Sequence, residues 1–151
     1  MKKIAIVLLL LLVMIFGCRS VKPSGLGVTA GKLAPCPDSP NCVSSQAEDA
    51  GHHIAPFKYQ GSLADAKGEV KKVVAALPRT KIITETNDYL HVIFTTAIMR
   101  FVDDVEFYFD DQRKVIEVRS ASRVGHSDLG VNRKRIETIR RQLPADMQGG
   151  K

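Results

Sequence analysis

The sequence predicts one α+β domain, a two-layer sandwich in which an antiparallel sheet of about four strands carries two helices on one face. Three observations predict it: a helical spacing of apolar residues over 62–77, four strand-like runs within 81–120, and a second helical spacing over 132–143. The order of one helix, four strands and one helix favours two layers, because each helix buries its apolar side against a sheet face. We place the domain at residues 34–144 and a tail at residues 145–151.

Residues 1–17 have the pattern of a signal peptide. Two lysines precede an uncharged apolar run over residues 4–16, which is too short to span a ~30 Å hydrocarbon core that needs about 20 residues. Gly17 and Cys18 follow, and this junction resembles the lipobox of bacterial lipoproteins, whose cysteine is lipidated. We therefore expect Cys18 to be the first residue of the mature protein and its anchor to a membrane. An uncleaved N-terminal anchor is the alternative.

Residues 18–33 join the expected lipid to the domain. They are rich in glycine, serine and other small residues without apolar periodicity, which is typical of a flexible tether. Arg19 stands where enterobacterial lipoproteins retained in the inner membrane have aspartate, so we expect the outer membrane if the organism has one. The predicted location is the cell envelope, with the domain facing the periplasm or the exterior.

The charge balance of the chain is mildly basic. Lysine and arginine number 22 against 16 aspartate and glutamate, a formal charge of +6, and two of the lysines belong to the predicted signal peptide. This excess is too small to predict nucleic-acid binding. The length that remains after the tether is enough for one hydrophobic core and one domain. The sequence does not predict an oligomeric state.

Cys36 and Cys42 lie in the segment APCPDSPNCVSSQ, residues 34–46. Disulfides persist in exported proteins, and Pro37 and Pro40 with neighbouring turn-forming residues predispose the chain between the cysteines to bend. We expect a Cys36–Cys42 disulfide that shapes a local loop and contributes at the low end of the usual ~2–4 kcal/mol. A zinc site, which needs about four ligands, and a reactive thiol are the alternatives, and neither has an evident partner residue.

Two segments predict helices. The first begins after Ser62, an N-cap candidate with Asp65 three residues on, and ends before Pro78. The second covers residues 132–143 and carries several arginines and a lysine on its other faces. Their apolar stripes consist of Leu63, Ala66, Val70, Val73, Val74 and Leu77 in the first helix and Ile136, Ile139 and Leu143 in the second.

Four strand-like runs lie between the helices, at residues 81–86, 89–95, 104–109 and 115–120. Asn87-Asp88 marks a hairpin between the first two runs, and a turn separates the last two. Apolar residues alternate with other residues along these runs, which suits an antiparallel sheet with one covered face. We expect Glu106, Glu117 and Arg119 on the other face, with their side chains outward.

The segment 119–133 holds the largest group of candidate site residues. Its arginines and serines are candidates for binding an anion, since arginine presents a planar fork to phosphate or carboxylate and a helix start offers unpaired N–H groups. These candidate residues are Arg119, Ser120, Ser122, Arg123, Ser127 and Arg133. The alternative is structural: the arginines pair with the acidic residues at 103, 104 and 106, and Asp128 caps the final helix.

His126 is a further candidate in this segment, as an acid–base group with Asp128. His52 and His53 lie in a linker and are expected in an exposed loop. No hydrolase elbow, zinc-protease, phosphate-loop or dinucleotide motif is present in the sequence. The sequence therefore predicts neither a metal site nor a cofactor.

Two segments resemble a known family. CPDSPNCVSSQ at residues 36–46 and RSASRVGHSDLGVNR at residues 119–133 resemble the motifs C-P-x-x-P-N-C-V-S-S and R-S-x-S-R-x-G-x-S-D-x-G-x-N-R of the domain-of-unknown-function family 1499. The resemblance covers roughly residues 33–143, and the chain is identified as a bacterial lipoprotein member of this family. It implies no activity, because the family has no established biochemistry to carry over.

Two functions from different classes follow. The predicted function is that of a non-enzymatic envelope module, anchored to a membrane by its lipid, that binds an anionic ligand, a lipid headgroup or a protein partner. The alternative is an enzyme of unknown reaction. It would use Cys36 and Cys42 as a redox pair, or His126 with Asp128 in acid–base chemistry.

Overall fold

The computed structural model describes residues 23–149, and the predicted signal peptide and Cys18 lie outside the described residues. The described part contains six strands, two α-helices and one 3₁₀ turn. In chain order they are β1 (Cys42–Ser44), β2 (Phe57–Lys58), α1 (Leu63–Ala76), β3 (Thr80–Glu85), β4 (Tyr89–Thr95), β5 (Val102–Asp110), β6 (Val115–Ser122), α2 (Val131–Gln142) and the 3₁₀ turn Ala145–Met147. Neither helix within residues 23–149 has the length and apolar content needed to cross a membrane.

All six strands form one antiparallel sheet in the order β1–β6–β5–β4–β3, and β2 also pairs with β6. The α+β class predicted from the sequence is correct, but the sheet has six strands rather than about four. β1 and β2 contain three and two residues, too few for an alternating pattern to be recognised. They pair with successive parts of the same edge of β6, with Cys42 opposite Ala121 and Phe57 opposite Ile116. Together they form one interrupted edge strand.

Polar side chains satisfy backbone donors at the starts of both helices. Ser62 caps α1, since its hydroxyl oxygen accepts a hydrogen bond from the backbone N–H of Asp65 at 3.1 Å. α2 begins after Gly130, whose φ of 77° is left-handed and suits glycine. Asp128 accepts hydrogen bonds from the backbone N–H of Gly130 at 2.9 Å and of Asn132 at 2.6 Å. This carboxylate therefore satisfies donors at the start of α2, although Gly130 occupies the N-cap position.

Apolar side chains of both helices and of one face of the sheet form a single core. Val70 and Val74 of α1 and Ile136 and Ile139 of α2 are fully buried in it. Because side chains alternate along a strand, the sheet contributes every second residue. These residues are Leu90, Val92 and Phe94 in β4, Val105, Phe107 and Phe109 in β5, and Ile116 and Val118 in β6. We call this side of the sheet the core face.

Residues that the sequence assigns to the tail contribute to this core. Met147 is buried in it. Arg140 of α2 donates a hydrogen bond to the backbone oxygen of Gln148 at 2.8 Å, and its guanidinium carbon lies 4.6 Å from the ring centre of Phe57. One methionine among polar residues shows no periodicity, so no apolar pattern in the sequence marks this contact.

The opposite side of the sheet, which we call the polar face, is also buried. The sequence predicts that Glu106, Glu117 and Arg119 point outward, but their exposed fractions are 0%, 4% and 8%. Residues 23–37, which we call the covering segment, lie against this face. The expectation of an exposed face is wrong because alternation shows which face is polar and not whether another part of the chain covers it.

The covering segment includes residues 23–33 of the predicted tether, and hydrogen bonds hold it to the domain. The backbone N–H of Gly27 donates to Oε1 of Glu106 at 2.9 Å. Gln46 holds the segment at two further points, where its Oε1 accepts from the backbone N–H of Leu33 at 2.8 Å and its Nε2 donates to the backbone oxygen of Gly31 at 3.0 Å. Backbone groups make these contacts, so no apolar pattern in the sequence marks them.

Candidate functional site

A layer of charged side chains lies between the polar face and the covering segment. Asp104 on β5 accepts a hydrogen bond from Nε2 of His91 on β4 at 2.8 Å. It also accepts two hydrogen bonds of 2.8 Å from Arg123, one from Nε and one from Nη2. His91 and Asp104 are each only 1% exposed. The three side chains therefore form a buried cluster in which one carboxylate serves both an imidazole and a guanidinium.

The protonation state of Asp104 follows from these contacts. Burial alone would raise the pKa of Asp104, but the hydrogen bonds from His91 and Arg123 outweigh burial and keep the pKa below its ordinary value. The hydrogen bonds to Asp104 also raise the pKa of Arg123. The pair is thus ionised at neutral pH.

A second cluster lies beside the first on the polar face. Glu106 on β5 is fully buried and accepts hydrogen bonds from the Tyr89 hydroxyl at 2.7 Å, from Nη1 of Arg119 at 3.1 Å and from the backbone N–H of Gly27. Burial and the charge of Glu106 raise the pKa of Tyr89, so its phenol stays protonated and donates. Nε of Arg119 is buried without a hydrogen-bond partner within residues 23–149.

The disulfide between Cys36 and Cys42 is present, as the sequence predicts, with Cα atoms 5.7 Å apart. Cys42 is buried and lies opposite Ala121 in the register, which places its side chain on the polar face. The disulfide does more than shape a local loop, because it joins the C-terminal part of the covering segment to β1.

Two cavities remain between the covering segment and the polar face. One of about 400 Å³ lies under the start and the end of the segment and includes Pro23, Ser24, Cys36, Asp104, Arg119 and Arg123 in its lining. The other, of about 410 Å³, includes Leu26, Gly27, Tyr89 and His91. Both cavities thus border the charged clusters.

The structure brings together only part of the predicted anion-binding set. Arg119 and Arg123 line the same cavity, but their guanidinium groups are paired with the carboxylates described above. Arg133 lies elsewhere and donates two hydrogen bonds of 2.8 Å to backbone oxygens in the loop at residues 51–53. An anion at the first two arginines would face two carboxylates, so the geometry corresponds to the structural alternative that the sequence left open.

The predicted serines on β6 contact Asn132, a residue that the sequence analysis did not select. Oδ1 of Asn132 accepts from the hydroxyl of Ser120 at 2.6 Å, and its Nδ2 donates to Oγ of Ser122 and to the backbone oxygen of Asn41, both at 2.9 Å. Asn132 is 1% exposed and joins α2 to β6 and to the disulfide-bonded loop. Asn132 lies four residues before Ile136 and therefore in line with the apolar stripe of the helix. This spacing is the sequence feature from which its burial could have been predicted.

The acid–base candidates lie on the loop between β6 and α2. His126 is exposed, and both carboxylate oxygens of Asp128 accept backbone N–H groups at the start of α2. Ser127 is exposed as well, and its hydroxyl oxygen accepts from the N–H of Leu129 at 3.3 Å. In the part of the chain that the structure describes, no group of three or more histidine, cysteine, aspartate or glutamate side chains is arranged to hold a metal ion.

Large apolar side chains are exposed at one end of the sheet, which we call the loop end. The loop between β4 and β5 and the loop between β6 and α2 both lie there, because Thr95 is opposite Val102 and Asp103 is opposite Ser122. The exposed apolar side chains of these loops and of the first residue of α2 form the apolar rim, which consists of Ile98, Met99, Phe101, Val124, Leu129 and Val131. Exposed apolar side chains gathered in this way make the loop end a candidate interaction surface.

Two cavities border the apolar rim. One of about 460 Å³ lies between the two loops and includes Phe101, Val124, Leu129 and Val131 in its lining. The other, of about 440 Å³, lies beside α2 and includes Leu77, Phe94, Val131 and Lys134. The sequence analysis missed this surface because residues 96–101 have no periodicity. The adjacent Ile98 and Met99 in a hairpin connection are the signal that could have found it.

Comparison with known proteins identifies one family. The model of the family described as protein of unknown function DUF1499 matches residues 32–143, which include all six strands and both helices. No curated protein matches the chain with significant similarity. The family match covers more than half of the 151 residues and confirms the resemblance carried by the two sequence motifs. The chain therefore belongs to the DUF1499 family of proteins of unknown function.

Proposed function

We propose that the protein is a lipid-anchored envelope protein whose domain is a non-enzymatic binding module, with the apolar rim as its binding surface. The observation that carries the proposal is the exposure of Ile98 and Leu129, which are 89% and 86% exposed on two neighbouring loops. Burying a side chain of this size against a partner stabilises a complex by about 1.5–3 kcal/mol. A partner that covers both loops therefore has a clear source of affinity.

The placement of the polar groups supports binding rather than catalysis. Arg119 and Arg123 are paired with buried carboxylates, and Asp128 accepts hydrogen bonds from the start of α2. These groups are engaged in contacts within the fold. The proposal therefore assigns them to the structure of the module and assigns its partner to the apolar rim.

The proposal includes the two-layer arrangement predicted from the sequence, with both helices on the core face. The single core formed by helix and strand side chains supports it. With helices on one face and the covering segment on the other, an end of the sheet is the part of the module that is left to meet a partner. The apolar rim lies at such an end.

The proposed anchor is the lipid on Cys18. It is supported by the two lysines, the short apolar run and the Gly17-Cys18 junction of the sequence. The proposed envelope location, with preference for an outer membrane, rests on the same residues and on Arg19.

The accessibility of the apolar rim in the native envelope tests this function. The variants Ile98→Cys and Leu129→Cys each add one free cysteine to the chain, whose Cys36 and Cys42 form a disulfide. Each variant reacts with a maleimide in isolated envelope fragments, and the rate of labelling is divided by the rate for the same variant unfolded in urea. The matched control is Asn87→Cys in the turn between β3 and β4, at the opposite end of the sheet. We expect slow reaction at 98 and 129 and fast reaction at 87, because a partner covers only the rim. Equally fast reaction at all three positions would contradict the proposed function.

A further inference from the structure

We propose that the apolar rim rests on the surface of a phospholipid bilayer, with its apolar side chains at the acyl boundary and the basic side chains around it at anionic headgroups. The inference rests on the proposed function and names the partner of its binding surface. Three features of the described residues support it: the position of Pro23, where the described chain begins, the side chains that form the rim, and the charges that surround the rim.

The described chain begins close to the loop end. Pro23 and Ser24 line a cavity together with Ser122 and Arg123, and Ser122 also lines the cavity of the apolar rim. Four residues lie between Cys18 and Pro23, so five Cα-to-Cα steps join the two. A chain of that length reaches at most about 18 Å. A lipid on Cys18 therefore holds the bilayer surface within about 18 Å of Pro23, on the side of the domain where the rim lies.

The side chains of the rim have the character of groups that enter a membrane interface. Ile98, Met99 and Leu129 are 89%, 66% and 86% exposed, and Phe101 adds an aromatic ring that is 43% exposed. They belong to two separate loops that lie side by side at the loop end, so they can enter one flat surface together. Outside the rim, Ile83 on β3 is the only large apolar side chain that is exposed among the described residues. A bilayer therefore meets apolar side chains at this end of the domain.

The charges around the rim complement anionic headgroups. Arg79, Arg100 and Lys134 are exposed beside the loops, and the first and third of them line the cavity next to α2. The buried acidic residues at the same end, Asp103 and Asp104, are paired with arginines. Asp38 is exposed and Asp128 is partly exposed at the loop end, which leaves basic side chains in excess there. An anionic membrane surface attracts such a group of side chains.

The opposite end of the sheet differs in character. The turn between β3 and β4 is Asn87-Asp88, and the turn between β5 and β6 contains Asp111, Gln112 and Arg113. These turn residues are exposed and polar. The loop end therefore contacts the bilayer more favourably than the opposite end does. This difference sets the orientation of the domain relative to the membrane.

Fluorescence in protein-free vesicles tests the inference. The lipid-bearing full chain carries an environment-sensitive fluorophore at Ile98→Cys, Leu129→Cys or the control Asn87→Cys, since Cys36 and Cys42 form the disulfide and Cys18 carries the lipid. Vesicles consist of phosphatidylcholine with or without phosphatidylglycerol, and a second set has a quencher on the acyl chains. We expect a blue shift and acyl-chain quenching at 98 and 129, both larger with phosphatidylglycerol, and neither change at 87.

The basic side chains have a matched test in the same vesicles. Replacing Arg79, Arg100 and Lys134 together by glutamine is expected to abolish the difference between vesicles with and without phosphatidylglycerol. Lys58→Gln is the control, because Lys58 is exposed on β2 at the opposite end of the sheet. A triple variant that keeps the full difference would overturn the assignment of the basic residues to headgroups.

The outcomes separate this inference from the proposed function. One outcome is that fluorophores at 98 and 129 remain in water on vesicles, although the same positions are protected in native envelopes. This outcome would overturn the proposed contact with the bilayer and leave the module with a protein partner. Positions open in both systems would overturn both proposals. A blue shift that grows with the protein-to-lipid ratio, without quenching by the acyl-chain quencher, would show that a second copy of the protein covers the rim. This outcome would also overturn the proposed contact with the bilayer.

Discussion

The guanidinium of Arg123 and the imidazole of His91 meet at a carboxylate that has almost no contact with water, since Asp104 is 1% exposed. Removing one partner of a buried pair leaves a charge without compensation, and that loss exceeds what the pair gains by forming. The contribution of Arg123 can therefore be read from the stability of the domain, independently of any ligand.

Arg123→Ala is expected to lower the free energy of unfolding by about 3 kcal/mol, because Asp104 stays buried with His91 as its remaining side-chain partner. Urea unfolding followed by circular dichroism measures the change. Arg141→Ala on α2 is the control, since Arg141 is exposed and its change is expected within about 0.5 kcal/mol. Equal unfolding midpoints for the two variants would show that Arg123 is ordinary surface.

The effect of Arg123→Ala is also expected to depend on pH. The folded-state pKa of Asp104 lies below its ordinary value of 3.8, so the ionised pair stabilises fully above that value and its contribution is lost as the pH falls through the lower folded-state pKa. The stability difference between the wild type and Arg123→Ala should be largest at neutral pH and shrink in acid, because Asp104 that is buried without Arg123 takes up a proton at a higher pH than Asp104 of the wild type. Urea unfolding over this range checks it, with Arg141→Ala as the control whose difference stays flat. A difference that persists in acid would contradict the role of the ionised pair.

The arginines of segment 119–133 and the group of acidic residues that could pair with them could be found from the sequence, but which arginine pairs with which carboxylate could not. Arg119 meets Glu106 and Arg123 meets Asp104 because β5 and β6 pair in one particular register. A shift by one residue would turn every side chain of a strand to the other face. The alternating pattern shows which residues share a face, and the register that decides between neighbouring acidic residues becomes visible only in the folded sheet.

The covering segment has hardly any regular secondary structure, yet it lies against the polar face where His91, Asp104 and Glu106 are buried. The side chain of Gln46 makes two hydrogen bonds to the covering segment. The disulfide at Cys36 fixes the C-terminal part of the segment. Segments held by few contacts open locally at a lower free energy than the core strands. We therefore expect the covering segment to open before the rest of the domain unfolds.

Gln46→Ala is expected to speed amide hydrogen exchange at Gly27 and Leu33 while the amides of β5 exchange as in the wild type. The reason is that the substitution removes the side-chain oxygen that binds the Leu33 N–H and the amide group that binds Gly31. Exchange measured by NMR or mass spectrometry checks it. Gln112→Ala, in the exposed turn after β5, is the control. Unchanged exchange at Gly27 and Leu33 would show that other contacts hold the segment.

Elements differ in how far the sequence reveals them. The four longer strands and both helices bury one side of a regular structure, so their apolar periodicity predicts them. β1 and β2 are too short for a period, and the covering segment binds through backbone groups that every residue carries. β1, β2 and the covering segment take their structure from hydrogen bonds with the rest of the sheet. A local stretch of sequence does not show these distant hydrogen-bond partners.

The whole domain has two unlike ends, and its proposed attachment to a membrane follows this difference. The chain enters the described structure at Pro23 near the loop end, where the apolar rim lies. A lipid on Cys18 and a rim that rests on the bilayer would act on the same side of the molecule. Each would increase the effect of the other, because an anchored domain meets the surface at a high effective concentration.

Cys18→Ser is expected to move the full-length protein from membrane to soluble fractions, since the proposed lipid on Cys18 would supply the stable attachment. Fractionation of cells with immunodetection measures the distribution. Ser20→Ala, two residues further on, is the control and should stay in the membrane fraction. If the Cys18→Ser protein remains in the membrane fraction with residues 1–17 intact, the segment is an uncleaved anchor.

The interrupted edge strand has a consequence for how copies of the domain behave together. β6 has eight residues, but its outer side is capped by strands of three and two residues rather than by one long strand with a free row of N–H and C=O groups. At the other border, β3 has a register shift between Ile82 and Thr84 and an exposed Lys81. Short, irregular and charged borders oppose strand pairing between molecules. Copies of the domain at high local concentration can therefore collide often without joining their sheets into fibrils.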